Sequence, residues 1–443
     1  MSLSDFALFS RRDLLRSLLL FAVAIGGALW VSFQFLEPVP PRRIVLAAGP
    51  PGGLYHLHAL RYREFLAREG VTVEIRETQG AGQNYELLLD PKSDVDIAFL
   101  QGGIARMPEA GGLVMLASLY YEPLWIFYRG DTEITKLLQL RGKRITVGMQ
   151  GSGTRALVVP LLAANGVDAS DATLIDAPGD TAIDLLAAGR ADAALLVGGA
   201  AMPLIQRALR NPEFRLMNFV RAEAYERRFT FIRRLTLPAG AIDFARDIPA
   251  QNVSLIATKA MLGARESIHP ALVNLLLEAA HDVHDDQGYF EKAGEFPGTV
   301  QVDLPVSVDA MRHHRFGRSF LYRELPFWAA TFVERTIILV LPLLVVLVPL
   351  FNLLPQIVRW RNRSRVYRWY GELALLEREV AAQQGPPPVT RWMAQLDRVE
   401  RAVAEGRTPP SFASEAYTLR EHVAMVRRAV LAKASAAEGA QSA

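Results

Sequence analysis

Residues 144–155, RITVGMQGSGTR, join an apolar, β-branched run to a helical stretch through a glycine-rich elbow, and the chemistry open to them is the holding of a small anion. The first N–H groups of a helix have no intrahelical partner, and the macrodipole adds roughly half a positive charge there, so a carboxylate or phosphate can be bound without catalytic machinery. Gly151 and Gly153 let a ligand approach the backbone, while Ser152 and Thr154 can either cap the helix or donate to the ligand. An ordinary N-cap in a strand-to-helix turn is the plain alternative. Arg155 is a candidate counter-charge, although an arginine in a first helical turn more often points to solvent. No Gly-Lys-Ser/Thr follows, which excludes a Walker loop, and the Gly-x-Ser-x-Gly spacing of a nucleophile elbow is missing.

Other chemistry-bearing residues fall short of a site. His281 and His284 lie one helical turn apart, beside Asp285 and Asp286, but no third ligand stands near, so a solvated helix face is the simpler reading. His313 and His314 are adjacent and would diverge on a helix, and Ser152 has no identifiable base. The chain has no cysteine, which removes thiolate catalysis, disulfides and cysteine-ligated metals together. We expect no catalysis, no metal and no cofactor.

The elements that must position the elbow alternate in type. Strands are expected at 43–48, 71–77, 95–100 and 113–119, with helices at 54–69 and 83–89, making one compact sheet. After an apolar run at 125–128, strands at 144–147, 172–175, 193–197 and 215–219 alternate with helices beginning at Arg155, Thr181 and Met202, making another. A strand at 253–258 re-enters the first unit and a long helix follows at 269–286. This is an α/β pattern with largely parallel sheets, and two such lobes leave a cleft facing the carboxyl ends of their strands. Loops 49–55, 79–84, 101–103 and 148–154 should reach that cleft. The loop carrying Asp180 and the Gly198-Gly199 loop rank second.

With 51% apolar residues and a mean hydropathy of +0.15, the chain is more apolar than most soluble proteins of 443 residues. The excess is local. Residues 17–36 carry no charge, and neither do 336–358, with the core IILVLPLLVVLVPLFNLL; each is long enough to cross ~30 Å of hydrocarbon as a helix. Pro342 and Pro349 are tolerable in a membrane helix. Arg11, Arg12 and Arg16 precede the first run and Arg359, Arg361, Arg363, Arg365 and Arg368 follow the second, so the positive-inside rule places both termini in the cytoplasm. The opening SRRDLLRSLLL also resembles a twin-arginine signal, but simple positive flanking is preferred, and WVSFQFLEPVPP lacks a clean small-x-small cleavage site, so a retained anchor is expected. The net charge of +3 is too small to suggest nucleic-acid binding.

The cleft loops, in order, carry a resemblance. The segments AAGPPGGLYHLHAL, ETQGAGQNYELLL, DVDIAFLQGG, LYYEPLWIFYR, LRGKRITVGMQGSGTRALVVPLLAANGV, APGDTAIDLLAAGRADAALLVGGA and NVSLIATKAML resemble the TAXI-type solute-binding subunits of TRAP transporters. The resemblance covers residues 42 to about 322 and implies the two-lobe periplasmic binding protein type II fold. It also implies an extracytoplasmic receptor that closes on a small organic anion, such as a dicarboxylate, a 2-oxoacid or an acidic amino acid, and passes it to TRAP-type permease subunits in the lipid bilayer. The site residues it implies are Gly53, Tyr55, Asn84, Gln101, Gly151, Ser152, Gly153, Thr154 and Arg155. The backbone amides of 152–155 would hold a carboxylate, Tyr55 and Tyr120 would form walls, and Asn84 and Gln101 would read a second polar group. Asp180 would meet a ligand ammonium or, preferably, cap its helix, and Tyr120, Tyr121 and Trp125 would pack the hinge. The first loop departs from the family, since Pro50 and Pro51 stiffen it and His56 takes the second aromatic position.

The expected organisation is therefore a cytoplasmic N-terminus (1–13), a transmembrane helix (14–36), an extracytoplasmic binding domain (37–335), a second transmembrane helix (336–358) and a helical cytoplasmic tail (359–443). Within the domain, lobe 1 takes about 42–124 and 250–325, and lobe 2 about 125–249. The expected setting is a bacterial inner membrane. Leu375, Leu376, Val380, Met393, Leu396, Val399 and Val403 supply the tail's apolar stripes, and 434–443 reads as disordered. A sensor that signals through the second span to this tail is the alternative function.

Overall fold

The computed structural model describes residues 39–105, 111–300, 303–317, 320–383, 387–405 and 413–441, with 19, 22–27 and 29–31 nearer the start. Two compact units emerge, one of Glu37–Val333 and one containing Glu334–Ala443.

In the larger unit, short apolar runs become buried parallel strands because helices cover both of their faces. β1 (Arg43–Ala47) pairs in parallel with β2 (Thr72–Arg76) and β3 (Ile97–Gln101). Helices α1 (Leu54–Arg68) and α2 (Ala81–Leu89) follow β1 and β2. The second lobe repeats the scheme with β5 (Arg144–Thr146), β6 (Thr173–Ile175) and β7 (Ala193–Val197), all parallel, and with α3 (Gly153–Ala164), α4 (Gly179–Ala187) and α5 (Pro203–Leu209).

Two long antiparallel strands join the lobes. β4 (Leu113–Tyr128) runs unbroken through Pro123, where the sequence suggested two separate runs. β10 (Val253–Arg265) continues seven residues past the expected end at 258, through Lys259 and Gly263. The sheet order is β2-β1-β3-β10-β4-β7-β5-β6; β8 (Arg215–Leu216) adds to β4, and β9 (Arg233–Leu237), in a stretch not expected to be strand, adds to β10. Each long strand changes core half-way. Val114 to Tyr120 and Ala260 to Ala264 pack in the first lobe, whereas Leu124 to Tyr128 and Val253 to Ile256 pack in the second. The return crossing thus lies near 257–259, not at 250, because Leu255 and Ile256 find their apolar partners in lobe 2. Helices α6 (Ala222–Arg228), α7 (Pro270–His284), α8 (Val308–Phe316) and α9 (Phe320–Glu324) complete this unit.

α10 (Phe327–Ala382) is a single helix running from the end of this unit through the apolar run and the arginines. Among the described residues it is the one helix long and apolar enough to cross a membrane, over Phe327–Val345. That window starts nine residues before the expected 336 because Phe327, Trp328, Ala329 and Ala330 already extend the apolar helix. Much of the expected first span lies outside the described residues; the part within them forms a shorter apolar helix, Ala22–Val31. The described residues thus hold one helix of membrane-spanning length where two were expected. In the smaller unit α11 (Val389–Glu405) and α12 (Ala413–Gln441) pack on α10 around Leu373, Leu376, Trp392, Leu396 and Val423. Leu375, expected in that core, is 67% exposed, and Leu373 fills the place instead.

Candidate functional site

A cavity of about 590 Å³ lies between the lobes, lined by the loops after β1, β2, β3, β5, β6 and β7. It collects the N-termini of four helices of at least nine residues: α1 through Gly53 and Leu54, α2 through Gly80 and Ala81, α3 through Gly153, and α4 through Pro178 and Gly179. Gly53, Gly80 and Pro178 give no side-chain cap, so the opening N–H groups of α1, α2 and α4 have no acceptor within their own helices. In α1 the first intrahelical bond is Leu57 N–H to Gly53 O at 3.0 Å, which leaves Leu54, Tyr55 and His56 ahead of it.

Of the nine expected site residues, Gly53, Tyr55, Gln101, Ser152, Gly153 and Thr154 line this cavity. The elbow itself is tighter than a bare anion loop. Ser152 Oγ donates to Met149 O at 2.7 Å and accepts from Arg155 N–H at 3.2 Å, so its hydroxyl is an N-cap with no proton left for a ligand. Ser152 N–H donates to Met149 O, leaving the amides of Gly153 and Thr154 from the expected set of four. Thr154 Oγ1 accepts from Val197 N–H at 3.2 Å and keeps its own proton to donate. Gly148 and Gly151 hold φ of +83° and +80°, which favours glycine at both.

Asn84, Gly151 and Arg155 stand off the cavity. Asn84 is fully buried; its amide donates to Ala48 O and to Phe99 O (2.8 Å), and its Oδ1 accepts from Thr78 Oγ1 (2.6 Å), so it ties the ends of β1 and β3 together. Gly151 O accepts from Gln83 N–H at 3.0 Å, a clasp between the lobes. Arg155 pairs with Asp176, its lobe's own carboxylate. Asp180, expected as a cap, instead lies in the first turn of α4 and pairs with Arg207 at 3.0 Å; the backbone of Pro178 takes the cap position. Tyr120 packs away from the cavity against His58 and His284, with ring centroids 5.2 and 5.5 Å away.

Glu122 is the residue that sequence reasoning passed over. It lines the cavity and is 5% exposed. Tyr55 Oη donates to its Oε2 at 2.9 Å and also lies 3.2 Å from Leu100 O. Burial pushes its carboxyl up to about 8, against the opposing pull of the Tyr55 hydrogen bond. One signal was present in the sequence: it is the lone charge in LVMLASLYYEPLWIFY, a run otherwise suited to a fully buried strand. Leu54, Leu196, Met202 and Leu204 add apolar wall.

A helix-capped cavity between two α/β lobes now has a family to set beside it, since the sequence model of the NMT1-like family matches residues 46–296, more than half of the chain. The chain belongs to the NMT1-like family. Its architecture is α/β, with two lobes joined by long crossing strands. No curated protein matches the sequence. Among solved structures, the alkanesulfonate-binding protein SsuA from Xanthomonas axonopodis pv. citri, bound to MOPS, is similar at 14% identity, over 56% of this chain and 74% of that one, with a TM-score of 0.38. An ancestral arginine-binding protein bound to arginine is similar at 14% identity, over 57% and 96%, with a TM-score of 0.36. A histidine kinase sensor domain with similarity to periplasmic binding proteins is similar at 18% identity, over 54% and 90%, with a TM-score of 0.35.

Proposed function

We propose that this protein is a membrane-anchored receptor that binds a small organic anion in the cleft of its larger unit, outside the cytoplasm, and delivers it to TRAP-type permease subunits. The observation that carries the reading is the convergence of uncapped helix N-termini on one cavity in which, among the described residues, the one basic side chain, Arg207, is already paired with Asp180. Fixed backbone dipoles favour an anion there, and the apolar wall fits a short carbon skeleton. Helix-end amides can bind an anion without a nucleophile or base, which supports a binding role. The order of the cleft segments supports the TRAP assignment, and the apolar helix followed by arginines supports the anchor.

The test is a thermal-shift screen of the full chain in detergent against small carboxylates, including dicarboxylates, 2-oxoacids and amino acids. A ligand at 100 times its Kd is expected to add about 2.7 kcal/mol of apparent stability. If no acid in a broad panel moves the melt, the receptor reading fails.

The continuity of α10 from the binding unit into the helical tail favours a second reading, in which the same cleft senses its ligand and the tail responds. Deletion that abolishes uptake of the ligand supports transport; ligand-dependent tail association with uptake intact supports sensing.

A further inference from the structure

The lining of the cavity is electrically lopsided. Glu122 is enclosed at one side, and among the described residues no Lys, Arg or His side chain forms an ion pair with it. Arg207 is tied to Asp180, and both are well exposed, at 59% and 78% of their side chains. A buried carboxylate without a counter-charge is costly, so this acid would ionise only beside a cation, which the chain itself does not supply.

Gln101 is the second unmatched group. It is 2% exposed, lines the same cavity, and its Nε2 has no acceptor, while its Oε1 lies against Gly153. A buried amide donor without a partner points to an acceptor brought from outside. The cavity thus offers N–H donors from helix ends and Gln101 together with one carboxyl, Glu122, that has no ion-pair partner, since Asp180 is taken by Arg207. A dicarboxylate would satisfy the donors but would bring no cation to Glu122.

We propose that the ligand is an organic zwitterion of the amino-acid kind, its acid group on the helix ends and Gln101 Nε2, and its protonated amine on the carboxylate of Glu122. The inference rests on the anion-receptor reading above and names the ligand class of that same site. The titratable groups facing Glu122 are Tyr55 from α1 and Tyr120, two residues before it on β4; its pairing partner on β10, Thr258, does not titrate. Burial holds the unliganded carboxyl protonated at neutral pH. Binding an ammonium ion therefore forms the ion pair and releases one proton from Glu122 to solvent, with no other bond made or broken.

The experiment uses full-length protein in detergent and ligand pairs that share a carbon skeleton with and without the amine: L-glutamate and glutarate, L-norvaline and pentanoate, 4-aminobutyrate and butyrate. The amine-bearing member of a pair is expected to bind at least about tenfold more tightly, a difference that Glu122→Gln removes. Calorimetry at pH 7 in buffers of different ionisation enthalpy should show release of close to one proton in the wild type and none in Glu122→Gln. Should that variant fail to fold, the pairs and the proton count in the wild type still decide. Equal or tighter binding of the amine-free acids, or binding without proton release, overturns the zwitterion while leaving an anion receptor. If no member of any pair binds, both readings fall.

Discussion

At the scale of single residues, the enclosed acid and the enclosed histidines pull the pH dependence of stability in opposite directions. Glu122 has a folded pKa raised from 4.5 to about 8, so its contribution is fully present below about 4.5 and is lost as pH rises from there through 8. His58, whose Nδ1 is enclosed, is pushed down by burial, and then by Arg61, to about 3. Its contribution is present above the unfolded value of 6.5 and is lost as pH falls toward 3. His284, 4.5 Å from His58 between ring centroids, shifts the same way and steepens that acid limb. We expect Glu122→Gln to flatten the alkaline limb and His58→Phe the acid limb, each by an amount on the order of a few kcal/mol across its full window. Melting temperature measured from pH 4 to 9 without ligand checks this, and an unchanged profile in Glu122→Gln would remove the basis for a protonated resting acid. The same residues show what could be read beforehand. Gly53, Tyr55, Gln101 and the elbow were legible because loop order places them. Asn84 was read as a ligand group because its type suits that work, whereas its burial and four partners are properties of the folded sheet.

At the scale of elements, the two lobes meet at glycines. A Cβ on Gly153 would strike the Gln101 amide, and one on Gly82 would sit 2.8 Å from Gly151 O. Absence of side chains therefore lets α3 start against β3 and lets α2 clasp the elbow. Gly153→Ala should push α3 away from Gln101, cost about 1–3 kcal/mol in stability, and weaken ligand binding beyond what the loss of stability explains. Melts and titrations on the same preparation separate the two effects, and wild-type affinity in Gly153→Ala would show that the elbow does not set the site. Local periodicity made α1, α3, α7 and the strands β1, β3 and β7 readable to within a few residues. It failed where an element is defined by its partner. β4 passes through Tyr121, Glu122 and Pro123 because β10 pairs with all three and β7 takes over from Leu124, and β9 exists because Arg233 to Leu237 find Val253 to Ala257. Neither pairing is visible to a window that slides along one strand.

At the scale of the whole molecule, the length of α10 sets the question of topology. Its 56 residues span about 84 Å at 1.5 Å per residue, whereas the hydrocarbon of a bilayer needs only about 20 residues of it. In the proposed arrangement the apolar part lies in the membrane and the arginine-rich part beyond it, on the side where positive charge is retained. The chain has no native cysteine, so a single introduced thiol reports one place without background. Phe244, 90% exposed in the binding unit, and Tyr417, 67% exposed in the helical tail, are apolar surface positions at which a thiol disturbs little packing. In intact spheroplasts, a charged maleimide that cannot cross the membrane should label Phe244→Cys promptly and Tyr417→Cys only after permeabilisation. Labelling of both from outside would put the tail on the same side as the cleft and end the reading of α10 as a span. Labelling of neither until permeabilisation would put the cleft inside the cell, and an uptake receptor could not work from there.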